Sequence, residues 1–368
     1  MTIERDFVGI VMSFTIGIVI STVASTSFTT PSSAAFLMST ACLAVLMHPK
    51  HNDLSSNALW ALINILFICL GFFISDTGRF APLHCNPLAG SLSGYAESVA
   101  EKLKILIENI PFRETETNSL VCAFITGDRS GLSPEILGAF RRSGASHILA
   151  LSGLHLGIIY GILKGILSFA GNGRTAKVMR AAAVVSICGF YTLATGAGAS
   201  TTRAFLFIIL NETASLTGRY RSTGSILWAA LFIQLFFKPE SISDVGFQLS
   251  YAAMAGIAYI FPHMKNLWPE AKNSGIVNKG LRWIWVSAAM SIACQITTGP
   301  LAWIYFGTFP KYFLLTNLIS LPLIGIIIPA SLMTLGLHAC GICPDFIIGG
   351  TEWLILGLAR CLEIIAGL

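Results

Sequence analysis

The sequence predicts an all-α integral membrane protein, a polytopic helix bundle of about 11 transmembrane segments with some broken or re-entrant helices. Three observations carry this. Of 368 residues, 54% are hydrophobic and only 11% charged, less than half the roughly 25% charged share of a soluble domain, which excludes a water-soluble globule. The apolar residues are gathered into runs near the ~20 residues that cross a bilayer core. Phe7 to Met47 and Tyr312 to Pro344 contain no Asp, Glu, Lys or Arg at all. Third, several runs carry Gly, Pro and hydroxyl residues at membrane depth, where irregular backbone is tolerated only if it is buried in protein or lines water.

Taken in order, the runs place spans at 7–25, 29–47, 57–75, 146–169, 181–196, 203–217, 223–237, 243–261, 283–306, 312–337 and 348–366. The charged start, Met1 to Asp6, precedes a run with no small-residue cleavage site, so the first span reads as a retained anchor. Lys and Arg mark cytoplasmic loops: Arg5, Lys50, the group Arg174, Lys177 and Arg180, then Arg219 and Arg221, and finally Lys265, Lys272, Lys279 and Arg282 fall on one side. That count leaves 76–145 outside and the N-terminus cytoplasmic. Within the outer stretch, Val99, Leu103, Leu106, Ile107 and Ile110 recur at helical spacing, which predicts an amphipathic helix over 96–110 on the membrane face. Ser133 followed by Pro134 predicts the N-cap and first position of another helix. Three regions result: N-terminal transmembrane segments at 1–75, a short extracytoplasmic segment at 76–132, and a transmembrane domain at 133–368.

Most of the nine cysteines, such as Cys42, Cys69, Cys188 and Cys294, lie in apolar runs as small hydrophobes. Cys340 and Cys343 form a lone CxxC without the second ligand pair a zinc site needs. No metal or cofactor is expected. Cys85 and Cys122 share the outer stretch and are read either as a disulfide or as two unpaired thiols.

The polar residues inside the spans carry the chemistry. In SPEILGAFRRSGASHILALSGLHLGII, His147, Ser152 and His155 sit at the start of and within an apolar span, where polar groups are expensive unless partnered. On one continuous helix the two imidazoles would lie about 80° apart and face one crevice. Gly153 and Gly157 form a small-xxx-small pair that permits close approach. Two readings stand: a polar path, or histidines satisfied by carbonyls within the bundle. ATGAGASTTR, ending at Arg203, reads as a broken or re-entrant segment, its Arg either binding a phosphate or snorkelling. Asp244 and Gln248 share a face, Asp244 as a helix cap and Gln248 bonding across helices. Gln295 lies in a span ahead of Pro300 and an aromatic belt. Glu212, an acid in an apolar run, is read as snorkelling toward Arg219 and Arg221.

Four blocks in order, GASHILALSGLHLG, TTRAF, DVGFQLSYAA and SAAMSIACQITTGPLAWIYFGTFPKYFLLTNLISLP, resemble the membrane domain of the ComEC competence family of DNA-uptake proteins. The resemblance runs from about Val121 to Pro322. It implies a channel that passes single-stranded transforming DNA across the bacterial cytoplasmic membrane, with His147, Ser152, Gly153, His155, Gly157, Arg203, Asp244, Gln248 and Gln295 as the positions to test. Besides lipid and the strand, it implies a separate DNA receptor, nuclease and cytoplasmic motor, and allows a homo-oligomer. Two departures stand out. The outer stretch is too short for the family's oligonucleotide-binding-like domain, and no HxHxDH signature of its metallo-beta-lactamase-like domain occurs among the seven His, so the chain is expected not to be an enzyme. Two other classes remain: a small-solute secondary transporter, which also uses broken helices, and an intramembrane hydrolase built on Ser152, which lacks a GxSxG elbow.

The orientation is directly testable. Single cysteines placed in 76–145 should react with an impermeant maleimide on intact cells, and those in 262–282 should not. Outside labelling of 262–282 would overturn the count.

Overall fold

The computed structural model describes residues 2–24, 56–77, 87–171, 173–218, 222–268, 275–307 and 311–367. Among these residues all regular structure is helical. In chain order the helices are α1 (Thr2–Ala24), α2 (Ser56–Thr77), α3 (Pro87–Glu108), α4 (Thr115–Thr126), α5 (Pro134–Arg142), α6 (Ser146–Leu149), α7 (Gly153–Leu167), α8 (Arg174–Ala194), α9 (Ala199–Thr217), α10 (Thr223–Phe237), α11 (Val245–Ala255), α12 (Phe261–Asn266), α13 (Ile276–Phe306), α14 (Phe313–Ala339) and α15 (Asp345–Ala366).

Among the described residues, six stretches are long and apolar enough to cross a bilayer: in α1, α2, α8, the continuous run Val245–Asn266, α13 and α14. Helices α7 and α10 are apolar but shorter. This is fewer than the eleven expected spans, for identifiable reasons. The run at 29–47 lies outside the described residues. The runs at 203–217 and 348–366 do form helices, α9 and α15, but Arg203, Asn211 and Glu212 in one and Asp345, Glu352, Arg360 and Glu363 in the other lower their apolarity. Arg174, Lys177, Arg180, Lys279 and Arg282, expected in loops, lie on the first turns of α8 and α13.

The chain forms two compact units that do not follow chain order: Met1–Gly90 with Tyr220–Tyr251, and Ser91–Arg219 with Ala252–Leu368. In the first, α1 and α2 cross backbone to backbone. A Cβ at Gly17 would overlap the Ile68 carbonyl, and one at Gly71 the Phe14 carbonyl. Ser13 donates to Asn64 Oδ1 at 2.8 Å beside this crossing, and Phe14 packs on Phe232 of α10 with ring centroids 4.9 Å apart.

The second unit is organised around an apolar core to which α3, α4, α5, α6, α14 and α15 all contribute, with Ile107, Phe124, Phe140, Ile148, Ile327 and Leu358 each at most 1% exposed. The amphipathic helix expected over 96–110 forms, but Ile107 and Ile110 face this protein core, not a membrane face. Ser133 caps α5 as expected, accepting from Ile136 N. Asn118 Nδ2 donates to the Ile107 and Ile110 carbonyls and so closes the end of α3. Lys104 meets Asp128 at 2.8 Å. That ammonium, helped by the Ser130 N–H, holds the Asp128 carboxyl down to about 2, so its contribution is complete above the ordinary carboxylate range and is lost only as pH falls through about 2. Cys122 Sγ lies 3.3 Å from Thr126 Oγ1; Cys85 lies outside the described residues, and so does any pairing with it.

Polar side chains tie the core helices. Thr316 of α14 donates to the Ser143 carbonyl at 2.7 Å, and Thr334 and Thr351 join α14 to α15 at 2.8 Å. Between α11 and α12 the helix widens to a π turn, Gly256–Ile260, just ahead of Pro262, which has no N–H to continue the ladder. There a Cβ at Gly256 would stand 2.5 Å from the Ala293 carbonyl of α13, so only glycine admits this contact.

Glu352 of α15, 5% exposed, accepts the backbone N–H groups of Arg113 and Glu114 at 2.8 and 2.9 Å, where the chain enters α4. Glu352→Ala removes the acceptor of two part-buried charge-assisted N–H bonds and should cost about 2 kcal/mol, read as a lower Tm of the detergent-solubilised protein. Glu352→Gln keeps the accepting oxygen and should stay near the unsubstituted protein.

Candidate polar path along α7 and α9

The expected continuous span over 146–169 is broken. His147 belongs to the one-turn helix α6, where Nδ1 lies 3.1 Å from the Gly144 carbonyl, and the backbone is extended at Ala150 and again at Ser152 before α7 begins. Ser152 explains the break. Its hydroxyl accepts from Leu154 N at 3.3 Å, while His155 Nδ1 accepts from Ser152 N at 3.3 Å and stands 3.0 Å from Ser152 Oγ. This is a capping box with histidine in the place usually held by Glu or Gln. The two imidazoles therefore do not share a helix face. His147 is exposed, whereas His155 is 1% exposed and its buried Nε2 has no hydrogen-bond partner among the described residues.

The cap also bears on hydrolysis. A serine nucleophile needs its base oriented by a third group. Here the base's near nitrogen serves the cap, and among the described residues its far nitrogen meets no such group.

Next, ATGAGASTTR is a tight connection and not a re-entrant helix. α8 ends at Ala194, Gly196 and Ala197 take left-handed backbone (φ 78° and 48°), and α9 starts at Ala199. Its hydroxyls bond locally, Thr201 to the Gly198 carbonyl and Thr202 to the Ala197 carbonyl. Arg203 then lies in the second turn of α9, 3% exposed.

Contacts at both ends fix how α7 and α9 run. Near their starts, a Cβ at Gly153 would lie 3.3 Å from Ala204 Cβ. Near their ends, Lys164 Nζ meets Glu212 Oε1 at 2.9 Å. The two helices are thus parallel, with α8 antiparallel beside them, and Leu156, Val184, Cys188 and Ile208 form the apolar middle. The end with His155 and Arg203 and the end with Lys164 and Glu212 are two polar layers separated by hydrocarbon. Only Gly153 of the glycine pair is a close approach; Gly157 is exposed and a Cβ there would meet nothing within 4 Å.

The second layer was missed from sequence. Glu212 does not snorkel. It is 7% exposed and accepts from both the Tyr160 hydroxyl and Lys164, while Asn211 Nδ2 donates to the Tyr160 oxygen at 2.8 Å. The available signal was Tyr160 and Lys164 at i and i+4 on the preceding span, one face offering two donors.

The remaining expected residues lie elsewhere. Gln295 lines an open groove of about 580 Å³ with Ile292, Ile296, Pro300, Trp303 and Phe313, at the turn of α13 where Pro300 cannot donate to the Ile296 carbonyl. Asp244 caps α11 through Gly246 N at 3.1 Å, as expected. Gln248 was expected to bond across helices. Its Nε2 reaches back 2.8 Å to the Ile242 carbonyl, in the turn before its own helix. Both belong to the other compact unit and are described only there. No His, Cys, Asp or Glu group among the described residues is arranged to hold a metal ion.

Several bilayer-length apolar helices together with buried ionisable side chains define a polytopic membrane protein with a polar interior. The model of the Competence protein family matches residues 124–368, and the chain belongs to that family. It is similar to ComE operon protein 3 of Bacillus subtilis (strain 168), 29% identical over 178 residues, 46% of this chain and 22% of that protein. It is also similar to the competence protein ComA of Neisseria gonorrhoeae, 27% identical over 208 residues, 55% of this chain and 28% of that one. The match thus spans under a third of either relative's length. No solved structure matches.

Gly153→Leu should separate α7 from α9 at their starts, lowering yield and Tm by an overpacking cost of about 1–3 kcal/mol. Gly157→Leu should leave both unchanged. Equal effects would show that the seam is not where Gly153 meets Ala204.

Proposed function

We propose that the chain is a channel for single-stranded transforming DNA across the bacterial cytoplasmic membrane in natural competence, a polytopic bundle of about 11 spans with its N-terminus cytoplasmic. The observation that carries the reading is the pair His155 and Arg203. Both are buried at one end of the α7–α9 seam, inside the region matched by the Competence family and beside the apolar layer of Leu156, Val184, Cys188 and Ile208. Arg203 is the cation of the pair, and intramembrane cationic side chains mark the routes of charged substrates. A polyanion needs few of them, because a densely charged lining would hold the strand and stop its passage.

In this reading the strand enters from a separate receptor after a separate nuclease has removed its complement, and a cytoplasmic motor draws it in. The chain itself performs no hydrolysis. A small-solute transporter is the rival.

The test is a transformation assay that scores surface-bound and internalised DNA separately. His155→Ala and Arg203→Ala should lower internalised DNA while membrane insertion and surface binding stay unchanged. His155→Asn tests whether the cap alone matters, since its side-chain oxygen can still accept from Ser152 N. Wild-type internalisation by stably inserted His155→Ala and Arg203→Ala proteins would remove the path from this seam.

A further inference from the structure

Resting on the DNA-passage reading, we propose that Lys164 is a second phosphate-binding residue on the α7–α9 seam, its hold on the strand moderated by Glu212. The arrangement is asymmetric. The Glu212 side chain is 9% exposed, but that of Lys164 is 44% exposed. The acid is enclosed and the base reaches out. An ammonium has three donors; one goes to Glu212 Oε1 at 2.9 Å and one to the Tyr160 oxygen at 3.1 Å. A third donor and nearly half the side chain are left for an outside oxygen. Tyr160, which also donates to Glu212, keeps the carboxylate satisfied when Lys164 turns outward.

The surroundings favour an anion. α8 begins at the same end of the three-helix group, and its first turns present Arg174 and Lys177, both exposed. Glu212 is the acid in contact with Lys164, and it is spent on the pair. Lys164 lies nine residues beyond His155 on α7, about 13 Å along the axis, and Arg203 stands at the His155 end, so the seam offers one cation near each end with an apolar stretch between. Two separated contacts keep an extended phosphodiester backbone aligned, and weak ones let it leave. Competition from the carboxylate supplies the weakness, since Lys164 must share its charge between Glu212 and a phosphate.

A charge swap separates this role from helix pairing. Lys164→Glu alone should lower both Tm and internalised DNA. Lys164→Glu combined with Glu212→Lys re-forms the ion pair and should recover Tm, yet internalised DNA should stay roughly ten-fold down, the equivalent of one lost charge-assisted contact. Recovery of both would overturn the proposal, whether Lys164 then serves the ion pair alone or a lipid headgroup. If the swapped pair does not regain its Tm, Lys164→Arg and Lys164→Gln decide, with uptake normalised to inserted protein: Arg should retain uptake and Gln lose it, and equal uptake would overturn the proposal. His155→Ala and Arg203→Ala are run beside them. If those two lower internalisation while the swap does not, only the role of Lys164 falls; if none of them does, the DNA-passage reading falls with it.

Discussion

Lipid offers no hydrogen bonds, and the rest of this structure follows from where the chain finds its own. A buried polar group without a partner costs about 1–3 kcal/mol, and a charged one more, so each departure from a plain apolar helix must be matched by an internal donor or acceptor. Glu352 meets that demand by taking two backbone N–H groups at the start of α4. Thr316 meets it at the Ser143 carbonyl, and Glu212 through Tyr160 and Lys164. These bonds link segments far apart in sequence, and they set which helices lie together more firmly than apolar contact does, because lipid competes equally for apolar faces.

How much of this was legible follows from the same constraint. Apolar runs and caps are local. Helix α10 occupies 223–237 as its run predicted, and Ser133 caps α5 as its spacing predicted. The break after α6 is equally local: His155 is the third helical residue behind a serine cap, and an apolar run by itself does not show that cap. Fewer bilayer-length apolar helices than runs are found among the described residues for a different reason: α15 combines a face that is apolar toward the core with Asp345, Glu352, Arg360 and Glu363.

The site was partly legible. Ser152, Gly153, His155 and Arg203 do converge on one end of α7 and α9, since each is a polar or minimal residue that an apolar span has no reason to hold. Glu212 meets Lys164, and no pattern in the residues around Glu212 announces that partner. The partner came from a parallel helix 48 residues earlier, a distance at which a single sequence carries no pairing signal. Gly157 is the opposite case: its spacing fits close approach, but its face is open.

What emerges is a seam with chemistry at both ends and hydrocarbon between. The two layers differ in kind. At the His155 end the imidazole is locked by the cap that starts α7, so its position is inherited from the backbone and varies little. At the Lys164 end the cation hangs on a long flexible stem from a carboxylate and a phenol, and it can exchange one oxygen for another at small cost. A fixed group and a mobile one along parallel helices suit a ligand that moves lengthwise better than one that is held in a single pose. A small solute bound at the midplane would call for convergent groups at one depth, and the apolar middle layer of Leu156, Val184, Cys188 and Ile208 provides none there.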